Sequence, residues 1–177
     1  MSDNKIYITD EQDRCVIQED QIRLIASKVC AHLGVAQYLL DVTFVTSEHM
    51  QVINTEHRGL MKSTDVLSFP QYHWDNPLLF EDSPSAVEFD HPGVVPEPLG
   101  DVVISLDDAQ RNAEHIGQGL DQEVAFLIVH GVLHLCGHDH EEAGEEALMI
   151  EQQKKIMGVL DEVWPGCVRS PAPKGMS

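Results

Sequence analysis

The chain has 177 residues, 42% of them apolar, enough for one ordinary domain with a real core and no second fold. Its formal charge of −19 argues against nonspecific nucleic-acid binding, because a polyanion repels a polyanion and phosphate contacts normally come from a basic face. A polar, acidic amino terminus and the absence of any run of about 18 apolar residues predict a cytoplasmic protein with no membrane partner.

Lys5 to Thr9 (KIYIT) alternates apolar and polar residues and reads as a strand, and Asp20 to Leu33 carries Ile22, Ile25, Val29 and Leu33 at helical spacing, with Gly34 as the helix stop. Leu40 to Val45 (LDVTFV) reads as a second strand, followed by Ser47 as the N-cap of a helix through about Glu56. Thr64 to Phe69 (TDVLSF), closed by Pro70, and Asp101 to Ser105 (DVVIS), opened by Gly100, read as two more strands. Between them, Gln71 to Leu99 holds six prolines or glycines, several acids and no lysine or arginine, so it reads as a long acidic surface loop, more readily an insertion without chemistry than a substrate lid. Helices follow over Leu106 to Ile116, Asp121 to Cys136 and roughly Glu141 to Leu160, broken at Gly117 and Gly137. The tail from residue 165 to 177 has no periodic pattern and is predicted to be disordered, leaving one domain over 1–164. Cys15, Cys30, Cys136 and Cys167 form no C-x-x-C pair and are expected as reduced thiols.

The helix containing EVAFLIVHGVLHLC is apolar almost all round, which predicts burial, so its polar residues need partners inside the protein. His130 and His134, four residues apart, project from one face about one turn apart and can share a metal ion. Gly137 can turn the chain back in a left-handed conformation and bring His140 round as a third nitrogen ligand. Three histidines leave one tetrahedral position open for water, the mark of a catalytic rather than a structural zinc site. Asp139 is a candidate acceptor for a ligand N–H, or an ordinary solvated carboxylate. His138 adjoins the cluster at a spacing that leaves it outside the clamp. Cys136, about 200° round the helix from His134, suits packing. His32, His49, His73, His91 and His115 have no comparable context. The spacing His130, His134, Gly137, His140 matches the metzincin proteases, but those carry a glutamate as general base where this chain has Gly131.

The stretch His130 to His140, HGVLHLCGHDH, resembles the signature of the YbeY-type endoribonucleases that mature ribosomal RNA, and Asn54 to Pro70 (NTEHRGLMKSTDVLSFP) and Gly100 to Ser105 (GDVVIS) resemble two further blocks of that family in the expected order. The similarity covers roughly residues 5 to 160. It implies an α+β fold, with an about four-stranded mixed sheet and the metal-bearing helix packed on it. It also implies one zinc ion held by His130, His134 and His140, and catalytic roles for His134 and for Arg58, whose planar charged fork suits phosphate. By the same resemblance the activity is a zinc-dependent endoribonuclease preferring single strands, acting in small-subunit rRNA 3′-end maturation, ribosome biogenesis and quality control. Its partners are then rRNA and the small subunit or associated proteins. The acids concentrate in Glu81 to Glu97 and Glu141 to Glu151, away from Arg58 and Lys62, which leaves room for a local cationic groove. The chain departs from the family pattern at His57 and His138, where aromatic residues are usual, and in a longer, more acidic 71–99 segment. A zincin-type metallopeptidase and a non-catalytic ribosome-associated zinc protein remain alternatives, and nickel or cobalt could occupy the same cage.

Overall fold

The structure, a computed structural model, describes residues 5–83 and 96–169. Most of the predicted tail (170–177), the middle of the predicted loop (84–95) and His91 lie outside the described residues. In chain order the elements are β1 (Ile6–Asp10), β2 (Val16–Ile17), α1 (Glu19–His32), β3 (Leu39–Val45), α2 (Ser47–Arg58), β4 (Val66–Pro70), β5 (Pro98–Ser105), α3 (Leu106–Ile116), α4 (Leu120–Leu135), α5 (Ala143–Val159) and β6 (Val168–Arg169).

Four strands form a mixed sheet in the order β1-β3-β5-β4, with β1, β3 and β5 parallel and β4 antiparallel to β5. The two-residue period of a strand sorts its side chains to opposite faces. Ile6, Leu40, Val42, Phe44, Val102 and Ile104 fall on one face, all buried, in a core shared with α1 and α4. On the other face Asp41 lies beside Asp101, while α2 covers Val45, Leu67 and Val103 with Met50 and Ile53. α4 is the central element, packing against α1, α3, α5, β4 and β5. That explains why eleven of its sixteen residues are buried, as its nearly uniform apolar sequence requires.

One glycine sets the depth of that packing. A Cβ built at Gly131 would lie 2.6 Å from Cγ1 of Val102, so α4 approaches β5 at this point only because no side chain intervenes. The position that lacks a protease glutamate is therefore one where the fold has no room for any side chain.

The architecture is the predicted α+β one, with local corrections. Thr46, not Ser47, caps α2, its hydroxyl accepting from the backbone N–H of His49 at 3.2 Å. β5 begins three residues earlier than predicted, at Pro98. The tail is not featureless from residue 165. Val168–Arg169 pairs antiparallel with Val16–Ile17, the Gly166 N–H donates to Asp121 at 2.8 Å, and Cys167 is fully buried. A two-residue strand carries no periodicity to read, so this small sheet was invisible in the sequence.

Candidate metal centre

α4 ends at Leu135 in a turn closed by two backbone bonds: the N–H of Gly137 donates to the carbonyl of His134 at 3.2 Å and that of His138 to Leu133 at 3.0 Å. This is the pairing that satisfies orphan carbonyls at a helix end, and it needs a left-handed residue, which Gly137 supplies at φ 95°. The reversal returns the carbonyl of His138 to the ring of His134, whose Nδ1 lies 3.0 Å away. A carbonyl only accepts, so Nδ1 carries the proton and Nε2 keeps its lone pair.

That lone pair faces His130, with the two Nε2 atoms 3.1 Å apart, and His140 completes a group whose ligand atoms all lie within 4.8 Å of one another. Four tetrahedral donors at about 2.0–2.1 Å from zinc would stand roughly 3.4 Å apart, so the three rings fit one ion with little movement. Among the described residues no fourth histidine, cysteine or carboxylate joins this group. Burial, reinforced by the neighbouring His130 and His140, holds the His134 imidazole down to about 4, and burial also lowers His130 and His138. His130 and His134 are thus neutral near pH 7, the form in which imidazole binds a metal. Gln153, buried on α5, lies against His130 and opposes that shift, while its Oε1 makes no hydrogen bond of normal geometry. Asp139, a candidate acceptor for a ligand N–H or an ordinary solvated carboxylate, accepts from the backbone N–H of His140 at 2.7 Å; for His134 the acceptor is the carbonyl of His138.

The three histidines lie in a groove of about 1050 Å³ that is also lined by Arg58, His57 and the whole of Thr64 to Pro70. Arg58 is the exposed last residue of α2, which Gly59 terminates at φ 68°. The groove also holds Asp65, whose carboxyl burial pushes up, and Ser68, whose hydroxyl donates to the Gly131 carbonyl at 3.3 Å.

The first part of the segment read as an acidic surface loop buttresses this centre. Trp74 Nε1–H donates to the Leu135 carbonyl at 3.1 Å, the Leu78 N–H donates to Cys136 at 3.1 Å, and His138 Nε2–H donates to Leu78 at 2.7 Å. Phe80 stacks on His32, and the Phe80 N–H donates to Gln152 on α5 at 2.6 Å. The composition of 71–99 as a whole hid this, although Trp74, Leu78 and Phe80 were apolar anchors within it. Gln153 was also missed; its one signal was a polar residue on the buried side of α5.

The fold and the three-histidine turn define an α+β domain with a zincin-like metal helix. The family described as Endoribonuclease YbeY matches residues 7–161, and the chain belongs to that family. The endoribonuclease YbeY of Bacillus licheniformis is 40% identical over 154 residues, spanning 85% of this chain and 90% of that one. That of Caldicellulosiruptor bescii is 33% identical over 160 residues, 86% and 95% of the two chains. The solution structure of TM1509 from Thermotoga maritima matches with a TM-score of 0.55 at 23% identity over 89% of this chain and 90% of that one, a likeness of fold. No helix among the described residues is long and apolar enough to cross a membrane.

Proposed function

We propose that this chain is a metal-dependent endoribonuclease that hydrolyses phosphodiester bonds in single-stranded RNA. The observation that carries the reading is the convergence of three imidazoles, within 4.8 Å of one another, in one groove with Arg58. His130, His134 and His140 hold the ion, zinc by the chemistry of three nitrogen donors with one position left open. Such an ion, when bound, supplies Lewis acidity and brings the pKa of a coordinated water to about 7. The His138 carbonyl fixes the tautomer of His134 and so aims its lone pair, and Arg58 offers a bidentate, permanently charged partner to phosphoryl oxygens as negative charge develops there.

Membership of a family whose curated relatives are named endoribonucleases supports RNA as the substrate. A cytoplasmic role in small-subunit rRNA 3′-end maturation, ribosome biogenesis and quality control rests on that kinship. The metallopeptidase reading loses ground to the contact between Gly131 and Val102, which leaves no space for a general base. A purely structural zinc would call for a fourth protein ligand.

Incubating the purified protein with an rRNA fragment containing both loops and duplex, with and without a chelator, tests the proposal. Cleavage confined to loops and abolished by chelator and by His134→Ala is expected. Cleavage that survives His134→Ala would reject the assignment, and zinc-dependent release of peptides from casein would favour the peptidase.

A further inference from the structure

The groove is poorly equipped to hold RNA by its phosphates. Among the described residues that line it, Arg58 is the one arginine or lysine, against the carboxylates of Asp65, Asp139, Glu141 and Glu146, and the whole chain carries −19. Affinity for a polyanion normally scales with the number of phosphates neutralised, so a single arginine in acidic surroundings supplies little. Beyond Arg58 and an ion held by the three histidines, binding must then draw on a part of the nucleotide that carries no charge.

One wall of the same groove provides a matching surface. Tyr72 and Trp74 both line it, their ring centroids 4.4 Å apart, and Tyr38 packs edge-on against both at 5.3 and 5.6 Å. The cluster is rigidly joined to the metal centre, since Trp74 donates to Leu135 at the last turn of α4 and its Cβ would stand 3.3 Å from a Cβ at Gly137. Trp74 is partly buried by these contacts, whereas Tyr72 keeps 36% of its surface open. Aromatic side chains in such a position stack unpaired bases, and they do so without regard to net charge because every base has a π-face.

We infer that Tyr72, supported by Trp74 and Tyr38, is a base-stacking subsite that seats an unpaired nucleobase of the RNA beside the metal centre. The inference rests on the nuclease reading and deepens it: a base inside a duplex cannot present its face to Tyr72, so the subsite would select single-stranded segments. His57, which packs against Phe69 at 4.9 Å on the wall that carries Arg58, belongs to a separate ring pair and is not part of it.

Trp74 is its own reporter once the only other tryptophan is removed with Trp164→Phe. The full-length, metal-loaded protein is titrated with a single-stranded 2′-O-methyl hexanucleotide, with an abasic version and with a duplex of the same sequence. The expected result is quenching of Trp74 by the base-bearing single strand alone. Affinity should fall roughly tenfold in Tyr72→Ala and be restored in Tyr72→Phe, with metal content unchanged in both. Equal binding of the abasic or duplex oligonucleotide, or unaltered affinity in Tyr72→Ala, would overturn the subsite while leaving cleavage in place. Base-dependent quenching in a protein that cleaves no RNA would instead uphold the subsite and remove the nuclease reading.

Discussion

α1 and α4 finish in the same hydrogen-bonded turn. In α1 the N–H of Gly34 reaches Ala31 at 3.2 Å and that of Val35 reaches Cys30 at 2.9 Å; in α4 the corresponding bonds are 3.2 and 3.0 Å, and both glycines are left-handed, at φ 75° and 95°. Each helix ends with a histidine in its last turn whose Nδ1–H is given to a backbone carbonyl, His32 to Glu81 at 2.7 Å and His134 to His138 at 3.0 Å. What separates them is the rest of the ring's surroundings. His32 is buried and stacks on Phe80, whereas His134 turns Nε2 to a second histidine in an open groove. The backbone motif alone therefore makes no site; the side chains around it decide whether a held imidazole is a structural residue or a ligand.

The largest contrast should appear when the two histidines are removed in turn. His134→Ala is expected to abolish stoichiometric metal binding and RNA cleavage while the protein remains folded. His32→Ala should retain both at the cost of about 1–3 kcal/mol of stability for the lost buried hydrogen bond. Metal analysis and denaturant titration of the two variants would separate the roles, and metal loss in His32→Ala would erase the distinction. Next in size, Arg58→Ala should lower cleavage by about 10²–10³ with metal content unchanged, as for loss of one group that stabilises transition-state charge.

Much of this contrast was legible in the sequence and some was not. The four-residue spacing of His130 and His134 on a uniformly apolar helix, followed by Gly137, specifies the turn and the clamp by local geometry alone. Gly34 announces the other helix end for the same reason. The contents of Gln71 to Leu99 were not legible, because the packing of Trp74, Leu78 and Phe80 on the body depends on contacts with α1, α4 and α5, which leave no periodic mark. The sequence left Asp139 open between an acceptor for a ligand N–H and a solvated carboxylate, because it does not show that a carbonyl from the turn itself takes the ring of His134. The reason for Gly131 also lay out of reach, since it is set by Val102 on another strand.

The two glycines test the turn more finely. An L-residue in the left-handed region costs about 1–2 kcal/mol, so Gly34→Ala and Gly137→Ala should both destabilise the fold. At Gly34 nothing lies within 4 Å of the added Cβ, whereas at Gly137 Pro77 and Trp74 stand at 3.3 Å. Gly137→Ala alone should therefore weaken metal binding as well, by about 10–100-fold, the range for disturbing groups that orient a ligand. Calorimetric metal titration would measure this, and equal affinities in the two variants would show that the turn does not position His140.

The smallest effect is that of pH on the metal-free protein. His134 titrates at 6.5 when unfolded and at about 4 when folded. At high pH both states are neutral and the group contributes nothing. As pH falls from 6.5 towards 4 the unfolded state takes up a proton that the folded state does not, so stability declines across that window. Chemical denaturation of metal-free protein should show this loss, less steep in His134→Phe; identical slopes would mean that His134 is not held neutral by its surroundings.

In the proposed centre three imidazoles share one ion and leave a position to solvent. X-ray absorption at the metal edge of the purified, zinc-loaded protein reads that arrangement directly. The expected spectrum has three imidazole nitrogens and one solvent oxygen at about 2.0–2.1 Å. A sulfur at about 2.3 Å, or a fourth imidazole in place of the oxygen, would contradict it.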